Sequence, residues 1–193
     1  MFNLTTIEDV IRIEPSQFGI PTEKVLQQEI NRKYANRVLH NIGLCICIYD
    51  IESHGDGLIK PGDGAVYVQT KFRIIVFRPF VGEILVGWVS SCTSDGLNVR
   101  MEFFDDIYIP RSMLFETCEF VAAEQAWIWK TPSHDFYIDT NEKIRFRVEQ
   151  EHFVEQHPKG PKDIENDSAN QIAPYTIVGS CQIDGMGLVS WWE

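Results

Sequence analysis

The chain has 193 residues, 44% of them hydrophobic and 12% aromatic, which is enough to bury a core and excludes a chain disordered throughout. Seventeen Lys and Arg against 28 Asp and Glu leave a formal charge of −11, so net charge does not drive binding to a polyanion and any nucleic-acid contact has to be local. No apolar run approaches the roughly 20 residues of a bilayer span, the N-terminal residues lack the pattern of a secretory signal, and five cysteines without a Cys-x-x-Cys pair point to reduced, mostly buried thiols.

In chain order, Asp9 to Glu14 is a β-branched run stopped by Pro15 and reads as a strand. After Pro21, apolar residues at Val25, Leu26, Ile30, Tyr34 and Val38 recur at helical spacing, with Asn41 and Gly43 as the stop. Gly43 to Ile51 is apolar on both alternating faces, which predicts a central strand covered by that helix. A long turn through Gly55, Gly57, Pro61, Gly62 and Gly64 follows, and Ala65 to Phe77 returns as one long strand or two short ones. This half is α+β: an antiparallel sheet with one main helix.

A boundary falls at Pro79, where Pro79 and Gly82 interrupt two strand-like runs. Residues 1–79 hold 9 basic and 9 acidic side chains, whereas 80–193 hold 8 and 19, so the acidity belongs to the second half. Domains of 1–79 and 80–193 are expected. The second half has little helical periodicity and many short β-rich runs: Glu83 to Cys92, Leu97 to Phe104, Asp106 to Ile109, Trp127 to Lys130, Phe136 to Ile138, Lys143 to Val148 and Tyr175 to Ile183. About five strands with irregular joins predict a small all-β barrel of the OB or S1-like kind. The polar, breaker-rich stretch near 156–174 predicts a mobile loop.

The residues with chemical potential are few. Asp105-Asp106, with Glu102 close by, has the composition of a cation site or a hydrolytic pair, but reads more simply as a solvated turn between strands. His54 near Asp56, and His152 with His157, sit in polar, turn-like sequence and read as surface histidines. The glycines around Asp56 and Asp63 lack the spacing and the Lys-Ser/Thr of a phosphate loop. No nucleophile, base and oxyanion set assembles, so neither an active site, a cofactor nor a metal is expected.

Two surfaces remain. Leu58 and Ile59, with Lys60, Pro61, Gly62 and Gly64, place an apolar pair on a glycine-rich tip, the pattern of a docking loop. The second half is dense in aromatics, and strand alternation puts Lys143, Arg145 and Arg147 on one face with Ile144, Phe146 and Val148 on the other. With Arg100 and Tyr108, that basic face is a candidate contact for single-stranded RNA.

Ile59-Lys60-Pro61-Gly62-Asp63-Gly64, followed by Val76-Phe77-Arg78-Pro79-Phe80-Val81-Gly82-Glu83, resembles the signature of the larger stalk subunit of archaeal and eukaryotic RNA polymerases. The opening Asp9 to Pro15 with Phe18-Gly19 is similar too. Phe103 to Pro110, Asn141 to Val148 and the ending Gly187-Leu188-Val189-Ser190-Trp191-Trp192 look most like the RNA polymerase III member. The resemblance spans essentially the whole chain. It implies a ribonucleoprotein-like tip domain followed by an OB or S1-like barrel, in a non-catalytic subunit of DNA-directed RNA polymerase III. It further implies a heterodimer with a small helical stalk subunit, docking of the Leu58 to Gly64 tip on the polymerase core, and contacts with nascent RNA and initiation factors. A role in transcription initiation and a nuclear location follow from the same resemblance. The strand after Gly96, Leu97-Asn98-Val99-Arg100, lacks the aromatic pair that S1-type RNA binders carry there. A free-standing S1-type RNA-binding protein is the alternative reading.

Overall fold

The computed structural model describes residues 1–132, 134–155 and 173–192. They form two compact units, Met1–Arg78 and Pro79–Glu193.

In the first unit β1 (Phe2–Ile13) leads through a 3-10 turn at Pro15–Gln17 into α1 (Thr22–Tyr34). Then come β2 (Arg37–Leu39), β3 (Gly43–His54), the two-residue β4 (Leu58–Ile59) and β5 (Val66–Phe77). The sheet is antiparallel in the order β1-β5-β3-β2, with β4 also paired to β5. Helix α1 buries Val25, Leu26 and Ile30 against Ile11, Ile13, Cys45, Val68, Phe72, Ile74 and Val76. Alternation along β5 puts Val68, Phe72, Ile74 and Val76 on the helix side. The opposite face is laced by polar cross-strand pairs, Arg73 with Asp50 and Gln69 with Glu8. Asn31 of α1 accepts the Ile48 N–H at 2.8 Å, next to an irregularity in the β3–β5 register.

Two sequence expectations need correction here, and a third, left between two readings, is resolved. Val38 is not on the helix: α1 ends at Tyr34, Asn36 takes a left-handed φ of 58°, and Val38 lies in β2 opposite Leu44. The stop is therefore Asn36, a residue that tolerates this conformation better than most. The opening strand begins at Phe2, well before Asp9, because Phe2 to Ile13 pairs with β5 along its whole length. Ala65 to Phe77 gives one strand, β5.

The second unit, a barrel with an inserted sheet, contains β6 (Ile84–Thr93), β7 (Gly96–Arg100), β8 (Ile107–Pro110), β9 (Cys118–Val121), β10 (Ala126–Lys130), β11 (Asp135–Ile138), β12 (Lys143–Phe153), β13 (Tyr175–Ser180) and β14 (Gly187–Leu188). Five of these close a ring: β6 pairs with β7, β7 with β8, β8 in parallel with β13, β13 with β12, and β12 with β6. This is the OB arrangement. Leu85, Val89, Leu97, Val99, Ile107, Ile109, Ile144, Phe146, Val148 and Ile177 fill its interior. Strands β9, β10 and β11 form a separate three-stranded sheet inserted between β8 and β12. Neither β9 nor β14 is marked by an apolar run of its own. Against the inserted sheet Phe115 stacks on Trp129 with ring centroids 4.1 Å apart, and Trp191 lies tilted over Phe136 at 5.2 Å. The expected mobile loop at 156–174 lies outside the described residues except for Ala173 and Pro174, as does His157.

Candidate docking tip and nucleic-acid face

The tip grows out of β5. Leu58 and Ile59 pair with Tyr67 and Val66, and the chain reverses between them through a turn in which Asp63 N–H reaches the Lys60 carbonyl at 3.3 Å. Gly62 and Gly64 carry φ values of +89° and +69°, a region in which a Cβ is strained. The loop is braced from the side. Arg12 on β1 donates to both Asp63 oxygens, at 3.0 and 3.4 Å, and the Tyr67 hydroxyl donates to Asp63 as well. Those two donors hold the Asp63 carboxyl below its ordinary range, and the same pairing raises the Arg12 guanidinium. The Lys60 ammonium lies 4.3 Å from the Tyr67 ring centroid.

The apolar pair itself faces solvent. Leu58 is 71% and Ile59 67% exposed, more than any other large hydrophobic side chain described. Pro61, Gly62 and Gly64 are exposed beside them. Greasy side chains on a loop held in one shape are the composition of a preorganised contact, since little further ordering is lost on binding.

The five candidate RNA residues all lie on the outside of the barrel, in different states. Lys143 is exposed, as expected from alternation along β12. Arg145 donates to the Gly185 carbonyl at 3.2 Å, and Arg147 donates to Glu149 at 2.7 Å. Arg100 donates to the Asn141 side-chain oxygen at 3.2 Å. Tyr108 sits opposite Asn98, which donates to Ser91 at 2.9 Å. Burial and then the nearby Asp95 charge raise the Tyr108 phenol, so it remains a neutral donor at ordinary pH. Trp88 was absent from the sequence-derived set. Register places it opposite Arg100 on one side and Lys143 on the other, a relation no local pattern shows.

The remaining candidates do not gather into reactive sites. Among the described residues no three His, Cys, Asp or Glu side chains converge as metal ligands. Burial pushes the Cys45, Cys92 and Cys118 thiols up to about 11 and Cys181 to about 12, the reverse of an activated thiolate. Partial desolvation, and then the charge of Asp105, raises the carboxyl of the exposed Asp106. No described helix is long and apolar enough to cross a membrane.

Comparison with known proteins places these features in context. Residues 83–192 match the family described as "RNA polymerase III subunit Rpc25", and residues 8–64 match the "SHS2 domain found in N terminus of Rpb7p/Rpc25p/MJ0397". The chain is 46% identical to DNA-directed RNA polymerase III subunit RPC8 of Saccharomyces cerevisiae, over 100% of both chains. It is 42% identical to the Bos taurus protein of the same designation, over 100% of this chain and 98% of that one. An archaeal relative, DNA-directed RNA polymerase subunit Rpo7 of Saccharolobus solfataricus, is 28% identical over 55% of this chain and 59% of its own.

Proposed function

The chain belongs to the RNA polymerase III subunit Rpc25 family, the larger stalk subunits of that enzyme, and we propose that it works as a non-catalytic docking and RNA-contact subunit of nuclear RNA polymerase III. The tip at Leu58 to Gly64 seats on the polymerase core, a small helical partner completes a heterodimer, and the barrel exterior meets nascent RNA during initiation. Initiation factors act on the same assembly.

One observation carries the reading: the most exposed large apolar side chains, Leu58 and Ile59, stand together on a loop braced by Arg12 and Tyr67 through Asp63. Exposed apolar area on a preorganised loop is stabilised by burial against a partner.

The test is a tagged pull-down from native extract with mass spectrometry of the copurifying proteins, run on the natural chain and on Ile59→Ala with Pro61→Ala. Recovery of the large polymerase subunits and a small helical partner by the natural chain, with core recovery reduced by the double replacement, is expected. Core recovery that survives the replacement moves docking away from the tip. Recovery of RNA without polymerase supports a free-standing RNA-binding protein instead.

A further inference from the structure

The exterior of the barrel carries a hollow of about 390 Å³ lined by Trp88, Arg100, Met101, Glu102 and Asp105. Register builds it. Trp88 on β6 lies opposite Arg100 of β7 and opposite Lys143 of β12, so an indole sits between two cations in a row across three strands. Directly opposed residues on one face have Cβ atoms roughly 4.5–5.5 Å apart, within reach of one bound base and its flanking phosphates. Strand β7 ends at Arg100, and the chain folds back with the Met101 N–H donating to the Phe104 carbonyl at 2.7 Å, which brings Glu102 and Asp105 to the same hollow. The Arg100 guanidinium, steadied by Asn141, spends one of its five N–H donors there.

We propose that this hollow is a guanine-selective subsite for single-stranded RNA. The proposal rests on the RNA-contact reading above and names the base that the contact selects. Trp88 stacks the base, supplying the aromatic that Leu97 to Arg100 lacks. Two carboxylates in a polyanion site only repel phosphate unless they accept hydrogen bonds from a base. Guanine alone offers adjacent N1–H and N2–H2 donors on its pairing edge together with O6 and N7 acceptors on the other. Glu102 and Asp105 match the first edge and Arg100 the second. Uracil offers a single N3–H donor flanked by two carbonyls, and adenine and cytosine each offer one amino group beside an acceptor. Lys143, on the other flank of the indole, takes a neighbouring phosphate.

The test uses the full chain and fluorescence anisotropy with seven-nucleotide oligouridines whose central position is G, A, C or U, at low salt. The G-centred RNA is expected to bind tighter than the other three by about fivefold or more. Glu102→Gln with Asp105→Asn is expected to bring all four within about twofold of one another while tightening the all-uridine RNA, because repulsion is removed as recognition is lost. Trp88→Leu weakens all four. GMP is expected to compete poorly, carrying one 5′-phosphate but no 3′-phosphate and no neighbouring nucleotides; competition by GMP as effective as by the G-centred RNA overturns the RNA assignment in favour of a free nucleotide. Binding without base preference, or a preference that persists in the Glu102/Asp105 variant, overturns the guanine subsite and leaves RNA contact standing. No binding of any of the four overturns the RNA reading itself.

Discussion

Arg12 and Asp63, fifty-one residues apart in the chain, meet through guanidinium–carboxylate hydrogen bonds of 3.0 and 3.4 Å and tie strand β1 to the tip. Both groups are solvent-accessible, so the pair does more for the shape of the loop than for global stability. Arg12→Ala is expected to leave the Tm nearly unchanged while amide hydrogen exchange accelerates across 58–64 and core recovery falls. Exchange at the natural rate would show that the tip holds its shape without Arg12.

Leu58 and Ile59 carry the tip's apolar area. Burying such a side chain contributes about 1.5–3 kcal/mol, so Leu58→Asp with Ile59→Asp is expected to weaken core association by about a hundredfold or more. The fold is expected to survive, since neither side chain enters the helix-covered core. Circular dichroism checks the fold, and association of purified heterodimer with stalk-free polymerase reads the effect. A loss under about tenfold would place the apolar contact elsewhere.

Asp9 and Asp106 give opposite pH signatures. Burial works to raise the Asp9 carboxyl, but hydrogen bonds from Lys33 and from Tyr34, the latter 2.6 Å, outweigh it and hold the group below its ordinary 3.8. Its stabilisation is complete above that value and is lost as pH falls through the depressed folded-state pKa. Asp106, an exposed residue whose carboxyl is only partly desolvated, is raised by that desolvation and then by Asp105. There the folded state binds the proton more tightly, so stability falls as pH rises from 3.8 through the raised folded-state pKa. Scanning calorimetry at about pH 7 is expected to show a lower Tm for Asp9→Asn and a higher one for Asp106→Asn. The Asp106→Asn gain should vanish near pH 3. A lower Tm for Asp106→Asn at neutral pH would mean that its carboxylate is stabilised by a partner.

Gly96 opens β7 where the barrel wall is tightest. A Cβ there would stand 2.2 Å from the Ile109 carbonyl oxygen and 2.9 Å from the Pro110 Cα, both backbone atoms of β8. Neither can swing aside as a flexible side chain does. Gly96→Ala is therefore expected to destabilise the barrel by about 1–3 kcal/mol or more in urea unfolding. A cost under about 0.5 kcal/mol would show that the β7–β8 pair can part without loss.

These predictions draw on what the sequence made legible and on what it did not. The spacing of Val25, Leu26 and Ile30 is a local signal, and it located the helix face that meets the sheet. The same period carried on to Val38, because side-chain spacing does not register that the backbone has turned over at Asn36. Tip residues were legible because glycines bracket an apolar pair, whereas the Asp63 brace to Arg12 is non-local and no window along the chain contains it. The basic alternation of Lys143 to Arg147 was legible, but the capture of Arg147 by Glu149 and of Arg145 by Gly185 depends on side-chain reach and on a distant loop. Trp88 read as one aromatic among many until cross-strand register set it between Arg100 and Lys143.

The parallel seam between β8 and β13 has a consequence for how the protein is made. Ile107 and Tyr108, paired with Val99 and Asn98 of β7 on one side, find their partners on the other side at Ile177 and Val178, and the same strand also completes β12 through its antiparallel side. A ribosome, which delivers the chain N-terminus first, therefore releases β8 well before, and β12 shortly before, the strand that joins them. Until β13 emerges, the nascent barrel is an open sheet with two unpaired edges, the state in which β-rich chains pair with the wrong neighbour. Premature termination just short of Tyr175 would leave both edges unpaired for good.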